Sequence, residues 1–252
     1  MNRAFLACLC ATLSACPEGG DPPPVTDGPR FERWPDILRP DIWTTEAAPP
    51  AEGGTPDGPL DAKVQPDVPK APLFGDVPAT DPHFDAIQWV GDRGYMTGCD
   101  SGSPPSFCPT EATKRADMAA AVARMKFGES FSYSPSPHFS DVPATHPSFK
   151  YIQKLYDVGA TAGCATGQFC PDTAATRAQG ATLIIRTKLG ASFTYSTLPH
   201  FSDVPATHPS FKYIQKLHDE GIAVGCGSAK FCPDEDLLRQ HLAVFLYNAQ
   251  TL

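Results

Sequence analysis

The sequence predicts a mainly α-helical protein built from a repeated helix-loop-helix unit. The segment His138–Leu155 recurs without a single change, 62 positions later, as His200–Leu217, and a diverged copy begins at Phe74. Self-similarity at a fixed period of this length is typical of repeat architectures. Within the repeat, apolar residues are spaced three positions apart (Phe149, Ile152, Leu155), which indicates an amphipathic helix.

The first sixteen residues have the features of an export signal. Arg3 precedes an apolar run that ends at Leu13, too short to span a bilayer. The run closes in Leu13-Ser14-Ala15-Cys16, which resembles the lipobox of bacterial lipoproteins. That resemblance implies a signal peptide over 1–15 and a lipid on the thiol of Cys16, holding the chain to a membrane. The alternatives are an ordinary signal cut after Ala15 without lipid, or a misassigned start codon.

Residues 16–73 are predicted to be a disordered linker. Residues 17–73 contain 14 of the 28 prolines and 11 acidic against 5 basic residues. With few large apolar side chains, this segment cannot bury enough area to offset the entropy of ordering it. Its apolar patch around Trp34 and Trp43 is either a sticky stretch of linker or a docking segment.

Three units follow, at 74–128, 139–190 and 201–252. In the second, Pro147 is expected in the first turn of a helix and Gly159 at its end. Thr176 and Gln179 have the spacing of a capping box, which predicts the start of a second helix. Units of this size form marginal cores alone, so we expect the three to stack against one another.

The landmarks of each unit occur in a fixed order. In the second unit they are Phe139-Ser140-Asp141-Val142, Gly159 through Gly163, Phe169-Cys170-Pro171 and Thr176-Arg177-Ala178-Gln179. In this order, three times over, they resemble the S-layer homology modules. The resemblance covers 74–252 and implies a three-pronged pseudo-trimer of helices that binds cell-wall polymers, often through pyruvylated polysaccharide.

The resemblance also implies which residues line the glycan-binding grooves. An arginine at the start of a helix, beside its free N–H groups, suits an anion, and its guanidinium can hold a carboxylate through two hydrogen bonds. The alternative is that each arginine pairs with the opening aspartate of a neighbouring unit and only holds the trimer together; it is favoured for the third arginine. The implied glycan-binding residues are Arg115, Arg177, Arg239, Asp76, Asp141, Asp203, Gly98, Gly163 and Gly225.

Some positions depart from the family pattern. Lys114 and Leu238 replace the capping threonine, and Pro82, Pro147 and Pro209 stand where the family commonly has a tryptophan. Loss of that flat ring removes a surface for stacking on sugars, which puts the identity of the polysaccharide in doubt.

The cysteines divide into three groups. Cys8 and Cys10 leave with the signal, Cys16 is the lipid site, and six remain. An even number in an exported chain indicates disulfides, and six cysteines allow 15 pairings. Recurrence once per unit favours local pairs, and their spacing does not suit zinc. The expected pairs are Cys99–Cys108, Cys164–Cys170 and Cys226–Cys232.

Composition and motifs exclude several function classes. The formal net charge of −8 argues against a nucleic-acid-binding protein, and the sequence contains no phosphate-cradling loop or hydrolase motif. We therefore predict a protein of the cell envelope, at the outer membrane or cell surface, without catalysis, metal or cofactor, whose partner is a wall or surface polysaccharide. The alternative is a protein-interaction or assembly subunit of an envelope complex.

Overall fold

The computed structural model describes residues 71–250; the predicted signal, Cys16 and nearly all of the linker lie outside the described residues. The described part contains six helices and no strand, which confirms the mainly α prediction. The helices are α1 Phe84–Asp92, α2 Arg115–Phe127, α3 Phe149–Asp157, α4 Arg177–Leu189, α5 Phe211–Asp219 and α6 Arg239–Ala249.

The closest helix pairs join neighbouring units rather than the two helices of one unit. Helix α2 packs against α3, α4 against α5, and α6 against α1. The first helix of each unit is thus covered by the second helix of the unit before it, and the third unit closes back on the first. Helix α2 also approaches α4 and α6. Lys188 of α4 donates to the carbonyl of Ala249 in α6, so the three pairs surround a common centre.

A ring of backbone hydrogen bonds lies where the units meet. The amide of Thr113 donates to the carbonyl of Leu237, Leu237 donates to Ala175, and Ala175 donates to Thr113, each at 2.8 Å. These residues belong to the three different units and immediately precede α2, α4 and α6. The ring therefore satisfies buried backbone groups that no single unit satisfies alone.

A buried glutamine in each first helix holds the segment that enters the unit. Gln153 is fully buried; its side chain accepts from the amide of His138 and donates to the carbonyl of Ser136 at 2.6 Å. Gln88 makes the same kind of contact with Ala71 and Leu73. Residues 71–73, at the end of the predicted linker, are therefore held to the first unit.

The helix ends agree with the sequence in most respects. Thr176 and Gln179 form the predicted capping box at the start of α4, and Gly159, with φ +70°, follows the end of α3. The expected place of Pro147 was wrong, because α3 begins two residues later, at Phe149. Pro147 instead lies in the turn that leads into the helix. Lys114 and Leu238 make no side-chain cap.

Between residues 71 and 250, no helix has both the length and the apolar character that crossing a membrane requires.

Candidate functional site: grooves between neighbouring units

The three repeated arginines are buried and reach into the next unit around the ring. Arg115, Arg177 and Arg239 are 6%, 3% and 8% exposed. Each Nε donates to the carbonyl oxygen of a phenylalanine in the neighbouring unit, at 2.7–2.9 Å. Each guanidinium carbon also lies 4.8–5.0 Å from the centre of that phenylalanine ring. The partners, in the same order, are Phe169, Phe231 and Phe107.

The opening aspartates hold the loops to which the arginines donate. In the second unit, the two carboxylate oxygens of Asp141 accept from the amides of Phe169 and Cys170, at 2.9 and 2.7 Å. Asp76 and Asp203 hold the equivalent amides in the same way. The alternative reading, in which each arginine pairs with this aspartate, names the correct neighbouring unit. The arginine, however, donates to the carbonyl of the phenylalanine in that unit and not to the aspartate.

The repeated glycines lie where the backbone leaves no room for a side chain. Gly163 and Gly225 have φ of +93° and +109°, a region that side chains disfavour. A Cβ on either residue would collide with a loop carbonyl, that of Gln168 or Lys230. At Gly98, a Cβ would lie 2.8 Å from Pro105. These glycines are required for the loop to fold back on itself.

The first amides of the second helices are not free. In α4, the amides of Arg177 and Ala178 donate to the carbonyls of Glu235 and Pro233, in the neighbouring unit, at 2.9 Å. Helices α2 and α6 use their first two amides in the same way. The expectation of free N–H groups beside the arginine was therefore wrong, because ring assembly consumes them.

The arginine of one unit and the glycine of the next share a groove. Three grooves result, named here after their arginines, with volumes of about 190 Å³ (Arg115), 420 Å³ (Arg177) and 520 Å³ (Arg239). They contain Gly163, Gly225 and Gly98 in that order. The structure thus brings together the predicted arginines and glycines in pairs, whereas the aspartates hold the loop that backs each groove.

The Arg115 groove is lined by two guanidinium groups and by no carboxylate. The second is Arg186, whose buried Nε has no hydrogen-bond partner. Arg124, at the equivalent position of α2, is paired with Glu129 at 2.8 Å. In the next unit the position of Glu129 is taken by Ala191, so nothing neutralises Arg186 there.

The Arg177 groove contains two imidazoles. His241, three residues into α6, lies 3.4 Å from Nη1 of Arg177, and His83 lines the same groove. Burial lowers the pKa of His241, and the charges of Arg177 and His83 lower it further. Glu235 also lines this groove, and Nη2 of Arg177 is buried without a partner.

The Arg239 groove is lined by equal numbers of acidic and basic side chains. Three acidic side chains (Glu111, Asp117, Asp172) line it beside three basic ones (Lys114, Arg124, Arg239). Lys114 pairs with Asp172 at 3.3 Å, and both Nε and Nη2 of Arg239 donate to backbone carbonyls. This groove therefore has no excess of positive charge to offer an anion, and the structural role favoured for Arg239 stays a prediction.

The predicted local cysteine pairs form the loop behind each groove. Cys99–Cys108, Cys164–Cys170 and Cys226–Cys232 are bonded, with Cα atoms 6.0–6.1 Å apart. The second cysteine of each pair has φ of 56–58°, uncommon for a residue other than glycine. Its amide is the one that the opening aspartate holds, so carboxylate and disulfide fix the same turn.

Sequence reasoning missed the groove residues that differ between units. Asp117, Gln179 and His241 occupy the third position of α2, α4 and α6 and face three different grooves. Arg186 was missed because its importance depends on the absence of a carboxylate at 191. Comparing the three units position by position would have found both signals.

Two segments of the chain match a known family model. Residues 138–181 and 200–243, within the second and third units, match the S-layer homology domain. The first unit lies outside these matches, although its Arg115, Asp76 and disulfide make the same contacts as their counterparts.

Curated relatives agree with that match. The chain is 32% identical over 111 residues to an endoglucanase of Bacillus sp. (strain KSM-635), covering 44% of this chain and 11% of the enzyme. It is 30% identical over 121 residues to a cell surface protein of Thermoanaerobacter kivui, covering 46% and 16%. It is 31% identical over 114 residues to S-layer protein EA1 of Bacillus anthracis, covering 45% and 13%. The chain thus spans less than a fifth of each relative.

Proposed function

We propose that this protein is a non-catalytic anchoring protein of the cell envelope, whose three units bind an acidic wall or surface polysaccharide in the grooves between them. Two of its relatives are named as a cell surface protein and an S-layer protein, and the family match covers two units. The endoglucanase match covers 11% of that enzyme, so its activity is not transferred.

The observation that carries the proposal is the composition of the Arg115 groove. Arg115 is anchored by Phe169 and Gln179, while Arg186 has no carboxylate to neutralise it. A carboxylate attached to a sugar, such as a pyruvyl ketal, matches two guanidinium groups in charge and in hydrogen-bonding geometry. We assign this groove the main role, the Arg177 groove a second one, and the Arg239 groove the least.

The repeated aspartates support this function by holding the loops. Asp76, Asp141 and Asp203 fix the backbone on which the groove phenylalanines and glycines stand. A direct contact of these carboxylates with the glycan stays a prediction.

Retention of the full-length protein on isolated wall material tests the proposal. We expect it to sediment with walls that carry their polysaccharide and to be released after mild acid has hydrolysed pyruvyl ketals from the polymer. Failure to bind both walls and purified polysaccharide would overturn the glycan proposal. Retention on one envelope protein, independent of glycan, would support the assembly-subunit alternative.

Two variants test the groove itself without touching the ring. Ala191→Glu places beside Arg186 a carboxylate like the one that Arg124 already has. Because this carboxylate would neutralise Arg186 and compete with the glycan, we expect retention to fall about tenfold, the equivalent of one charge contact. Arg124→Gln, in the charge-balanced Arg239 groove, is the matched control and should leave retention nearly unchanged. Equal effects of the two variants would contradict the ranking of the grooves.

We further propose that the membrane contact is a lipid on Cys16, with the proline-rich segment as a spacer. One acyl chain gives only reversible binding, so stable anchoring needs more than one. Metabolic labelling with palmitate should mark the protein, and Cys16→Ala should abolish the label. A labelled Cys16→Ala protein would disprove lipidation at this residue.

A further inference from the structure

Two histidines and an aspartate converge on the surface of the third unit. One ligand atom from each of His200, His218 and Asp219 lies within 4.8 Å of the other two. His200 Nε2 is 2.8 Å from an oxygen of Asp219, and the two imidazole rings stack with centres 4.0 Å apart. None of the three residues lines a groove described above.

The surrounding structure holds these side chains in position. Asp219 is the last residue of α5, and its second oxygen accepts from the amide of Ser196 at 2.9 Å. The amide of His200 donates to the buried side chain of Gln215. His218 lies edge-on to Phe201, with ring centres 5.3 Å apart. The hydrogen bond from Ser196 fixes the carboxylate of Asp219, as hydrogen bonds behind metal ligands do, whereas the contact of His200 with Gln215 fixes only its backbone.

The second unit contains the same arrangement with one ligand missing. His138 lies 2.9 Å from Asp157 and stacks on Tyr156 at 4.1 Å, where the third unit has His218. Stacking and the His–Asp contact therefore do not require a second histidine. The substitution of tyrosine by histidine is the first difference after the eighteen identical residues, and it adds one imidazole nitrogen to an existing pair.

We propose that His200, His218 and Asp219 bind one divalent transition-metal ion of the zinc class, with water completing its coordination. Two imidazoles and a carboxylate suit zinc and its neighbours, whereas calcium and magnesium prefer oxygen ligands alone. Tetrahedral zinc with bonds of about 2.0–2.1 Å needs ligand atoms about 3.4 Å apart. The oxygen of Asp219 must therefore move away from His200, now at 2.8 Å, and His218 must turn out of the stack, because an imidazole nitrogen binds metal in the plane of its ring. The ion takes the place of the His200–Asp219 hydrogen bond.

One further observation sets this site apart. Among the described residues, the only other cluster with metal-ligand spacing is Asp203 with Cys226 and Cys232, and those cysteines are bonded to each other. A disulfide does not offer the thiolates that metals bind.

Binding of zinc to the untagged full-length protein, freed of metal by a chelator, tests the proposal by stoichiometry. Isothermal titration near neutral pH should reveal one bound zinc ion per protein molecule. This binding should be lost in His218→Tyr, which introduces the tyrosine that the second unit has at this position. The reciprocal Tyr156→His should add an equivalent. Cobalt should give the visible absorption of a tetrahedral complex in the parent, weaker in His218→Tyr and stronger in Tyr156→His.

The outcome that overturns the site is equal zinc uptake by the parent and His218→Tyr. Circular dichroism of both variants, with and without zinc, shows whether either change disturbs the fold. Because tyrosine and histidine each already occupy this position in one of the two units, we expect both variants to fold. Magnesium should neither bind nor displace zinc. Glycan retention should be unaffected by the substitution, so failure of this proposal and failure of the polysaccharide proposal are distinguishable.

Discussion

Single residues decide how similar units acquire different grooves. The arginines make one repeated contact, a hydrogen bond from Nε to a phenylalanine carbonyl in the next unit. The residue facing each arginine varies: Gln179 accepts from Arg115, His241 approaches Arg177, and Asp117 lines the groove of Arg239. The invariant contact assembles the ring, and the variable one sets the charge available to a ligand.

His241 should make the stability of the protein sensitive to pH. Its pKa is lowered in the folded chain, so the unfolded chain binds the proton more readily, and stability is lost as pH falls through the ordinary histidine value of about 6.5. Arg177 and His83 oppose protonation, whereas Glu235 in the same groove is an acid. His241→Gln, which introduces the residue of the second unit, should reduce the fall in melting temperature between about pH 7.5 and about pH 5.

Thermal unfolding of both proteins across that range measures the effect. Part of the pH dependence should remain in the variant, because the pKa of His218 is also lowered. Identical melting profiles would show that His241 titrates alike in the folded and unfolded chains.

Short elements are stabilised differently in the three units. Helix α4 has a complete capping box, whereas Lys114 and Leu238, the N-cap residues of α2 and α6, make no side-chain cap. All three helices instead gain hydrogen bonds from their first amides to the neighbouring unit. Capping is therefore added to the ring contact in the second unit and does not replace it.

Removing the cap should weaken the second unit by a predictable amount. Thr176→Ala loses the acceptor for the amide of Gln179, and we expect a loss of about 1 kcal/mol in the free energy of unfolding. Lys114→Ala, at the equivalent position, is the control; its exposed ion pair with Asp172 is worth little, so the change should stay within about 0.5 kcal/mol. Urea titrations compare the two. If the cap contributes no stability, the two variants will have the same free energy of unfolding.

The disulfide loops are elements in their own right. The Cys164–Cys170 bond closes a segment with a sequence separation of 6 residues. Replacing both cysteines by serine should lower the free energy of unfolding by about 2 kcal/mol, because the unfolded chain regains the freedom of that loop. Chemical unfolding of the oxidised parent and the double variant measures the difference. Unaltered stability would mean that Asp141 alone suffices to fix the turn.

The whole described region depends on closing the ring between its ends. Arg239 in the third unit bonds Phe107 and Thr97 in the first, across as many as 142 positions of sequence. Trp89 of α1 lies against Tyr247 of α6, with ring centres 5.6 Å apart. The first and last helices thus bury each other, which explains why units that are marginal alone form one stable body.

Opening this closure should destabilise the three units together. Arg239→Ala leaves two carbonyls without their donor, and we expect a loss of about 3 kcal/mol in a single cooperative transition. Arg239→Lys keeps the charge but not the planar fork of donors, so its loss should be intermediate. Urea unfolding followed by circular dichroism distinguishes the cases. A two-step transition in Arg239→Ala would indicate that the first and third units unfold separately.

The sequence by itself determined the features that depend on local spacing. The helices, the capping box at Thr176 and the pairing of cysteines within each loop follow from residues a few positions apart. The repeat follows from segments that recur along the chain. The arginine and glycine positions were also visible, because each occurs once per unit in a fixed order.

Only the tertiary structure decided which units supply the two sides of each groove. The placing of Arg177 with Gly225, or of Arg239 with Gly98, in one groove depends on how the ring closes, and no local pattern encodes this. The same closure consumes the helix amides expected to bind an anion. It also brings the ends of the described chain together, because hydrophobic burial of the six helices is complete only when the third unit meets the first.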